Sequence, residues 1–284
     1  MTRLLVTGAE GMLGRRLVEE ATRRGHAVIG LDRPGFELGR PAEAAAQIEA
    51  ARPDLVIHGA ALTDVDGCEA QAALALAING EASGAVAAAA QRAGARCYFI
   101  STDYVFDGRK PASYREDDEP APASAYGRSK LLGETRVREA GGSVIRLSWS
   151  FGPDGKNFVA TIAGLLREGR ALRVVDDQRG SPTYTRDAAA AILDLAAAGG
   201  EGIFHCCNAG ETTWYGFARA IAAGIGGDPA QVSPCTTAEY PRPAPRPANS
   251  RLGGERLAAL RGQAMPHWED ALARYLKEQG WLLN

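Results

Sequence analysis

The chain has 284 residues, 45% of them hydrophobic, enough to bury one large core or a large core with a smaller companion. Its 32 Lys and Arg nearly balance 34 Asp and Glu, for a formal net charge of −2, which argues against nucleic acid or an anionic membrane surface as partner. Five cysteines without a CxxC pair and four scattered histidines give neither a disulfide framework nor a zinc-site spacing, so no metal is expected. The N-terminus carries no signal-peptide pattern and no uninterrupted apolar run approaches the roughly 20 residues of a membrane span, so a cytoplasmic protein is expected.

In chain order, residues 4–7 read as a strand and residues 12–24 as a helix. Gly8-Ala9-Glu10-Gly11-Met12-Leu13-Gly14 lies between them. Glycines there allow a tight turn and let backbone N–H groups approach a pyrophosphate at the positive end of the helix dipole. The spacing is GxxGxxG rather than the commoner GxGxxG, and its position directly after the first strand is what gives it weight. Gly8, Gly11, Met12 and Leu13 are the phosphate-loop candidates.

A second strand over 27–31 ends at Asp32, about twenty residues on, where an acid bonds adenosine ribose hydroxyls. Arg33 follows and suits a 2′-phosphate, so NADH and NADPH both stay open. A helix over 42–51 and a strand over 55–57 come next, then Gly59-Ala60-Ala61, small residues that let backbone lie against a flat ligand. An alanine-rich segment, 70–93, reads as one long helix. The strand 96–100 runs into Ser101-Thr102-Asp103, hydroxyls placed to bond a substrate oxygen beyond a strand end. A helix over 125–140 and a strand over 143–146 complete the alternation.

Beyond residue 150 the pattern loosens. Residues 158–167, 188–197, 213–223 and 268–278 read as helices, and Pro241, Pro243, Pro245 and Pro247 mark an extended loop. Strands alternating with helices predict an α/β fold, a doubly wound, Rossmann-like parallel sheet, with a smaller C-terminal substrate lobe. Residues 1–150 are expected to form the dinucleotide-binding domain, joined by some later segments, and 151–284 mainly the substrate lobe.

Tyr126 and Lys130, four residues apart, share one face of their helix. Reducing a carbonyl requires hydride at carbon and a proton at oxygen. A free phenol has a pKa near 10, and a neighbouring ammonium is expected to bring it toward the working range.

With these residues in view the chain resembles the dTDP-4-dehydrorhamnose reductases, which are extended short-chain dehydrogenases. The likeness is carried by Ser101-Thr102-Asp103-Tyr104-Val105-Phe106-Asp107-Gly108, Tyr126-Gly127-Arg128-Ser129-Lys130-Leu131 with Gly133-Glu134, and Arg146-Leu147-Ser148-Trp149-Ser150-Phe151-Gly152. Gly155-Lys156-Asn157-Phe158, Asp177-Gln178-Arg179-Gly180-Ser181-Pro182-Thr183, Thr213-Trp214-Tyr215 and Arg246-Pro247-Ala248-Asn249-Ser250-Arg251-Leu252 extend it over nearly the whole chain.

The resemblance implies NADPH- or NADH-dependent reduction of the C4 keto group of a dTDP-linked deoxysugar. It implies Tyr126 as proton donor, Lys130 holding the cofactor ribose and lowering the tyrosine pKa, and Thr102 and Asp103 facing the sugar. It places Trp149 near the sugar ring, Gly11, Met12 and Leu13 at the pyrophosphate, Asp32 at the adenosine ribose and Ala60, Ala61 and Leu62 beside the nicotinamide. Glu37-Leu38 falls near the adenine, where the family often has an Asp, and Asn157 and Arg251 reach the diphosphate or sugar. A homodimer is left open. The terminal Leu282-Leu283-Asn284 offers no acid for a magnesium-bridged dimer. A related dehydratase would need an Asp-Glu pair after Thr102, and this chain has Asp103-Tyr104. A 4-epimerase and a non-catalytic subunit like the methionine adenosyltransferase beta subunit are the alternatives.

Overall fold

The computed structural model describes residues 1–282; Leu283 and Asn284, in the segment read above as lacking an acid, lie outside the described residues. The first half follows a strand–helix alternation: β1 (Arg3–Thr7), α1 (Met12–Arg23), β2 (Ala27–Leu31), α2 (Pro41–Ala51), β3 (Leu55–His58), α3 (Val65–Ala70), α4 (Ala72–Ala75), a π-helical turn (Leu76–Glu81), α5 (Ala82–Arg92), β4 (Arg96–Thr102), α6 (Ala125–Glu139) and β5 (Ser143–Leu147). The second half holds β6 (Ser150–Phe151), α7 (Phe158–Arg167), β7 (Leu172–Val175), β8 (Arg179–Gly180), β9 (Thr183–Tyr184), α8 (Thr185–Ala197) and β10 (Ile203–His205). It ends with β11 (Thr212–Thr213), α9 (Trp214–Gly224), β12 (Val232–Cys235), β13 (Asn249–Ser250), α10 (Glu255–Arg261) and α11 (Trp268–Glu278).

Six parallel strands form the main sheet in the order β10-β5-β4-β3-β1-β2. Both faces are apolar because alternate side chains serve opposite cores. Leu4, Val6, Leu55, Ile57, Tyr98 and Ile145 point to one face and pack with Leu17 and Ala21 of α1 and the buried side of α8. Leu5, Val56, Cys97, Phe99 and Val144 point to the other and meet Ile48, Val86, Ala89 and Val137 from α2, α5 and α6. The chain winds one way from β1 to β2 and then crosses back to β3, so the loops leaving β1 and β3 diverge and open a crevice at their carboxyl ends.

A separate core under the second half is built by Phe151, Val159, Ile162, Phe217, Trp268 and Tyr275, mainly from α7, α9 and α11. The segments α8, β10 and α10 return to the main sheet, with Ile192, Phe204 and Leu257 buried in its first core.

One expected element differs. The helix predicted over 70–93 begins earlier, at Val65, breaks at Gln71 and widens into a π-turn at Leu76–Glu81. The run from Ala72 to Arg92 spans 21 residues and is long and apolar enough, by length and composition alone, to cross a membrane, although Asn79, Glu81 and Ser83 interrupt it. Its apolarity serves the sheet core: Ala82, Val86, Ala87, Ala89 and Ala90 are buried there.

Candidate active site

The loop after β1 is shaped for close backbone approach. Gly8 has φ +72°, and a Cβ there would lie 2.8 Å from the Ala60 nitrogen. A Cβ on Gly14 would sit 2.0 Å from the Gly8 carbonyl oxygen, so α1 enters the turn only because that position is bare. Gly11 precedes the first turn of α1 without any side-chain cap, which leaves the N-terminal amides of Met12 and Leu13 facing outward with the helix dipole. A cradle closed by glycine and open at a helix N-terminus fits a pyrophosphate.

Asp32 is tied to this loop. One carboxylate oxygen accepts the Glu10 N–H at 2.7 Å and the other accepts its neighbour Arg33's N–H at 2.8 Å. The Arg33 backbone is thus engaged while the residue is exposed. Leu38 is buried in the sheet core beside Phe36, leaving only Glu37 of the predicted adenine pair half-exposed.

Ala60, Ala61 and Leu62 follow β3 and are held from behind. The Ala60 N–H donates to Thr7 Oγ1 at 3.2 Å, and that hydroxyl meets His58 Nδ1 at 2.6 Å. Leu62 is gripped at both ends by Asn79, whose amide oxygen accepts the Leu62 N–H at 2.7 Å and whose nitrogen donates to the Leu62 carbonyl at 3.0 Å. Asn79 sits in the π-turn and also donates to Ser129 Oγ, on α6, at 3.0 Å. Burial holds His58 neutral, with its pKa lowered to about 3, and the Lys130 charge adds to that shift.

The reactive groups converge where β4 ends and α6 begins. Ser124 caps α6 by accepting the Gly127 N–H at 3.0 Å, which sets Tyr126 and Lys130 in its first two turns. Lys130 is buried, donates to the Ile100 carbonyl at 2.7 Å and lies 3.9 Å from the centre of the Phe99 ring. Burial lowers its pKa to about 7, opposed by the nearby Glu134 carboxylate.

The Tyr126 phenol is raised, not lowered, because burial dominates and the Asp103 charge adds to it; the nearby Thr102 hydroxyl pulls the other way. The expected lowering by the Lys130 ammonium is not seen: desolvation dominates, and the phenol stays protonated. Thr102 Oγ1 donates to Asp103 Oδ1 at 2.8 Å, while Asp103 Oδ2 is buried with no hydrogen-bond partner. Burial raises the Asp103 pKa to about 6, against the hydrogen bond from Thr102. The Tyr104 ring packs edge-on to Tyr126 at 5.6 Å.

Trp149 leaves β5 with φ +46°, a backbone region that bulky side chains rarely adopt. Its indole stacks on Trp214 at 3.6 Å and 9°, and only the absence of a Cβ at Gly180 makes room for its ring.

Over residues 1–280 the chain matches the family model described as RmlD substrate binding domain. A dTDP-4-dehydrorhamnose reductase of Burkholderia thailandensis is 42% identical, with 97% of this chain and 98% of that protein covered. The chain belongs to the dTDP-4-dehydrorhamnose reductase family. A probable dTDP-4,6-dihydroxy-2-methyloxan-3-one 4-ketoreductase of Streptomyces antibioticus is 40% identical over 95% of this chain and 93% of that protein. A dTDP-4-dehydrorhamnose reductase of Bacillus anthracis solved in complex with NADP superposes with a TM-score of 0.93 at 36% identity, covering 98% of this chain and 99% of that one.

Within this family frame, the structure brings Gly8, Gly11, Met12, Leu13, Asp32, Ala60, Ala61 and Leu62 to one crevice, with Thr102, Asp103, Tyr126 and Lys130 at the end of β4 and the start of α6. It does not bring Asn157 or Arg251 to that group as free side chains. Asn157 caps α7, accepting the Ala160 N–H at 3.0 Å and donating to the Gly152 and Gly155 carbonyls at 2.8 and 3.0 Å. The Arg251 guanidinium is held by Glu211, by the Pro111 carbonyl and by Asn249 at 2.8 Å. Both side chains are engaged by groups of the protein itself. Sequence reading passed over His58 and Asn79. Their only sequence signal is a polar residue ending an apolar strand and another interrupting an alanine-rich helix.

Proposed function

We propose that the chain reduces the C4 keto group of dTDP-4-dehydro-L-rhamnose (dTDP-6-deoxy-L-lyxo-4-hexulose), or of a close dTDP-deoxysugar, giving dTDP-L-rhamnose or its analogue at the expense of NADPH or NADH. The observation that carries this reading is the Tyr126 phenol, on the same helix as the buried Lys130 and facing Thr102 and Asp103 at the end of β4, where burial keeps it protonated. The dinucleotide, when bound, supplies a hydride to C4.

Tyr126 gives its proton to the carbonyl oxygen, which would otherwise carry the new charge. Thr102 fixes the phenol and can share that oxygen. Lys130, held between the Ile100 carbonyl and the Phe99 face, stabilises the phenolate left behind and binds the cofactor's ribose hydroxyls. The unpartnered Asp103 Oδ2 is suited to a sugar hydroxyl, since a buried acceptor without a donor is costly until one arrives. The stacked Trp149–Trp214 pair offers a flat apolar wall for the sugar ring. Tyr104 stands where a dehydratase would need a carboxylate, which leaves that reaction without its acid–base pair. The same reading makes the protein a cytoplasmic enzyme whose partner is its nucleotide-sugar, with a homodimer as its candidate assembly.

The test follows NAD(P)H absorbance with a panel of dTDP-4-keto-6-deoxysugars and the corresponding free keto-sugars. Oxidation stoichiometric with a reduced dTDP-sugar is expected, with the free sugars turned over poorly. No cofactor oxidation with any member of the panel would sink the reading.

A further inference from the structure

Gly133 and Glu134 lie one turn beyond Lys130, and the role of that acid is not explained by substrate or cofactor contact. Glu134 is 2% exposed. Its Oε1 accepts the Ser101 hydroxyl at 2.5 Å and Arg146 Nε at 2.9 Å, and its Oε2 accepts the other Arg146 nitrogen at 2.7 Å. Arg146 is itself buried, and its guanidinium lies 4.9 Å from the centre of the Phe106 ring and 3.4 Å from His205 Nε2.

Lys130 and Glu134 thus hold two consecutive residues of β4, the Ile100 carbonyl and the Ser101 hydroxyl, immediately before Thr102 and Asp103. Gly133 makes that grip possible, since a Cβ there would fall 2.3 Å from the Asn79 carbonyl oxygen and 2.8 Å from the Phe99 ring. From the geometry we infer that Glu134, clamped by Ser101 and Arg146, is a positioning residue: it locks α6 to the end of β4 in the register that sets Tyr126 against Thr102, and its charge sustains the Lys130 ammonium in a buried site.

The charges around Lys130 make the second half concrete. On its own helix stand Tyr126, a neutral phenol, and Glu134; on β3 stands His58, held neutral; on β5 stands Arg146, a second buried cation; Asp103 lies beyond Tyr126. Glu134 is the acid that offsets both cations. A neutral side chain at 134 removes the acid one helical turn from Lys130, and the buried ammonium becomes harder to keep.

The chain has four lysines, Lys110, Lys130, Lys156 and Lys277, so protein labelled at the lysine Cε gives four resolvable NMR signals, with Lys130 assigned from the signal missing in Lys130→Arg. In Glu134→Gln the Lys130 titration midpoint moves down by about one pH unit or more while the other three stay fixed. A folded Glu134→Gln protein with an unmoved Lys130 midpoint overturns the electrostatic half, because a purely structural carboxylate would not shift a lysine titration.

The positioning half rests on the reductase reading and is read in Ser101→Ala, which removes one hydrogen bond and no charge. Its kcat falls several-fold while the dissociation constant for NADPH, measured by fluorescence, is unchanged; an unchanged kcat overturns it. The Ser101→Ala arm also stands should Glu134→Gln fail to accumulate as folded protein. Absence of turnover in the parent enzyme itself would refute the reductase reading and leave the titration result intact.

Discussion

Asp103→Asn isolates the conflict between folding and function at the end of β4. Asp103 is 3% exposed, one of its oxygens has no partner, and burial raises its pKa from the model-compound 3.8 to about 6. An acid whose folded pKa is raised binds more protons folded than unfolded between those two values. Stability therefore falls as pH climbs from about 4 to about 6, and the cost is fully present above 6. At 1.36 kcal/mol per unit the shift corresponds to about 3 kcal/mol at neutral pH. Asparagine keeps the acceptor for Thr102 and cannot ionise, so the variant is expected to gain up to about 3 kcal/mol at pH 7 to 8, a Tm rise of several degrees for a chain of this size.

The gain should shrink steadily toward pH 4. Urea unfolding of both proteins at half-unit pH steps measures it, and kcat/KM at pH 7 measures the functional cost, expected as a clear loss because the carboxylate acceptor for a sugar hydroxyl is gone. A stability difference independent of pH, or a destabilised variant at pH 8, would refute the assignment of a charged, underbonded Asp103.

Tyr126→Phe removes the proton donor and should lower kcat by roughly 10²- to 10⁴-fold, with NADPH binding by fluorescence unchanged. Gly180→Ala places a Cβ 2.3 Å from the Trp149 indole, displacing the ring; KM for the dTDP-sugar is expected to rise about tenfold, equivalent to 1.4 kcal/mol, with cofactor affinity preserved. Gly14→Ala drives a Cβ against the Gly8 carbonyl and should abolish cofactor binding by calorimetry and cost about 1–3 kcal/mol of stability in denaturant unfolding.

What could be read from the residues alone was what is local. The glycine loop, the acid at the end of β2 and the four-residue spacing of Tyr126 and Lys130 each depend on a few neighbouring positions and on strand–helix alternation, and all are where the pattern put them. What the residues alone did not show shares one cause: contacts are set by the fold rather than by neighbouring positions. Asn157 reads as a ligand donor by its chemistry, but its position just before an apolar helical run is equally that of an N-cap, and only the fold shows that it caps α7. Arg251 reads as a phosphate ligand until Glu211 is found beside it, 40 residues upstream. The π-turn at Leu76–Glu81 has no signature in an alanine-rich run, because it accommodates Asn79 gripping Leu62 and Gly133 packing against the Asn79 carbonyl.

The Tyr126 pKa shows the same division in electrostatic terms. Spacing along a helix puts Tyr126 and Lys130 on one face, and from that pair alone a lowered phenol pKa follows. Burial, a property of the whole chain, reverses the sign, and it lowers Lys130 at the same time. The two shifts move the groups apart: a phenol that resists ionising and an ammonium that gives up its proton near neutrality. A reductase needs its acid protonated when the carbonyl arrives and needs the proton replaced afterwards. A desolvated phenol beside a lysine poised near pH 7 meets both demands, so the crevice that excludes water from the hydride acceptor also sets the protonation states that the reduction uses.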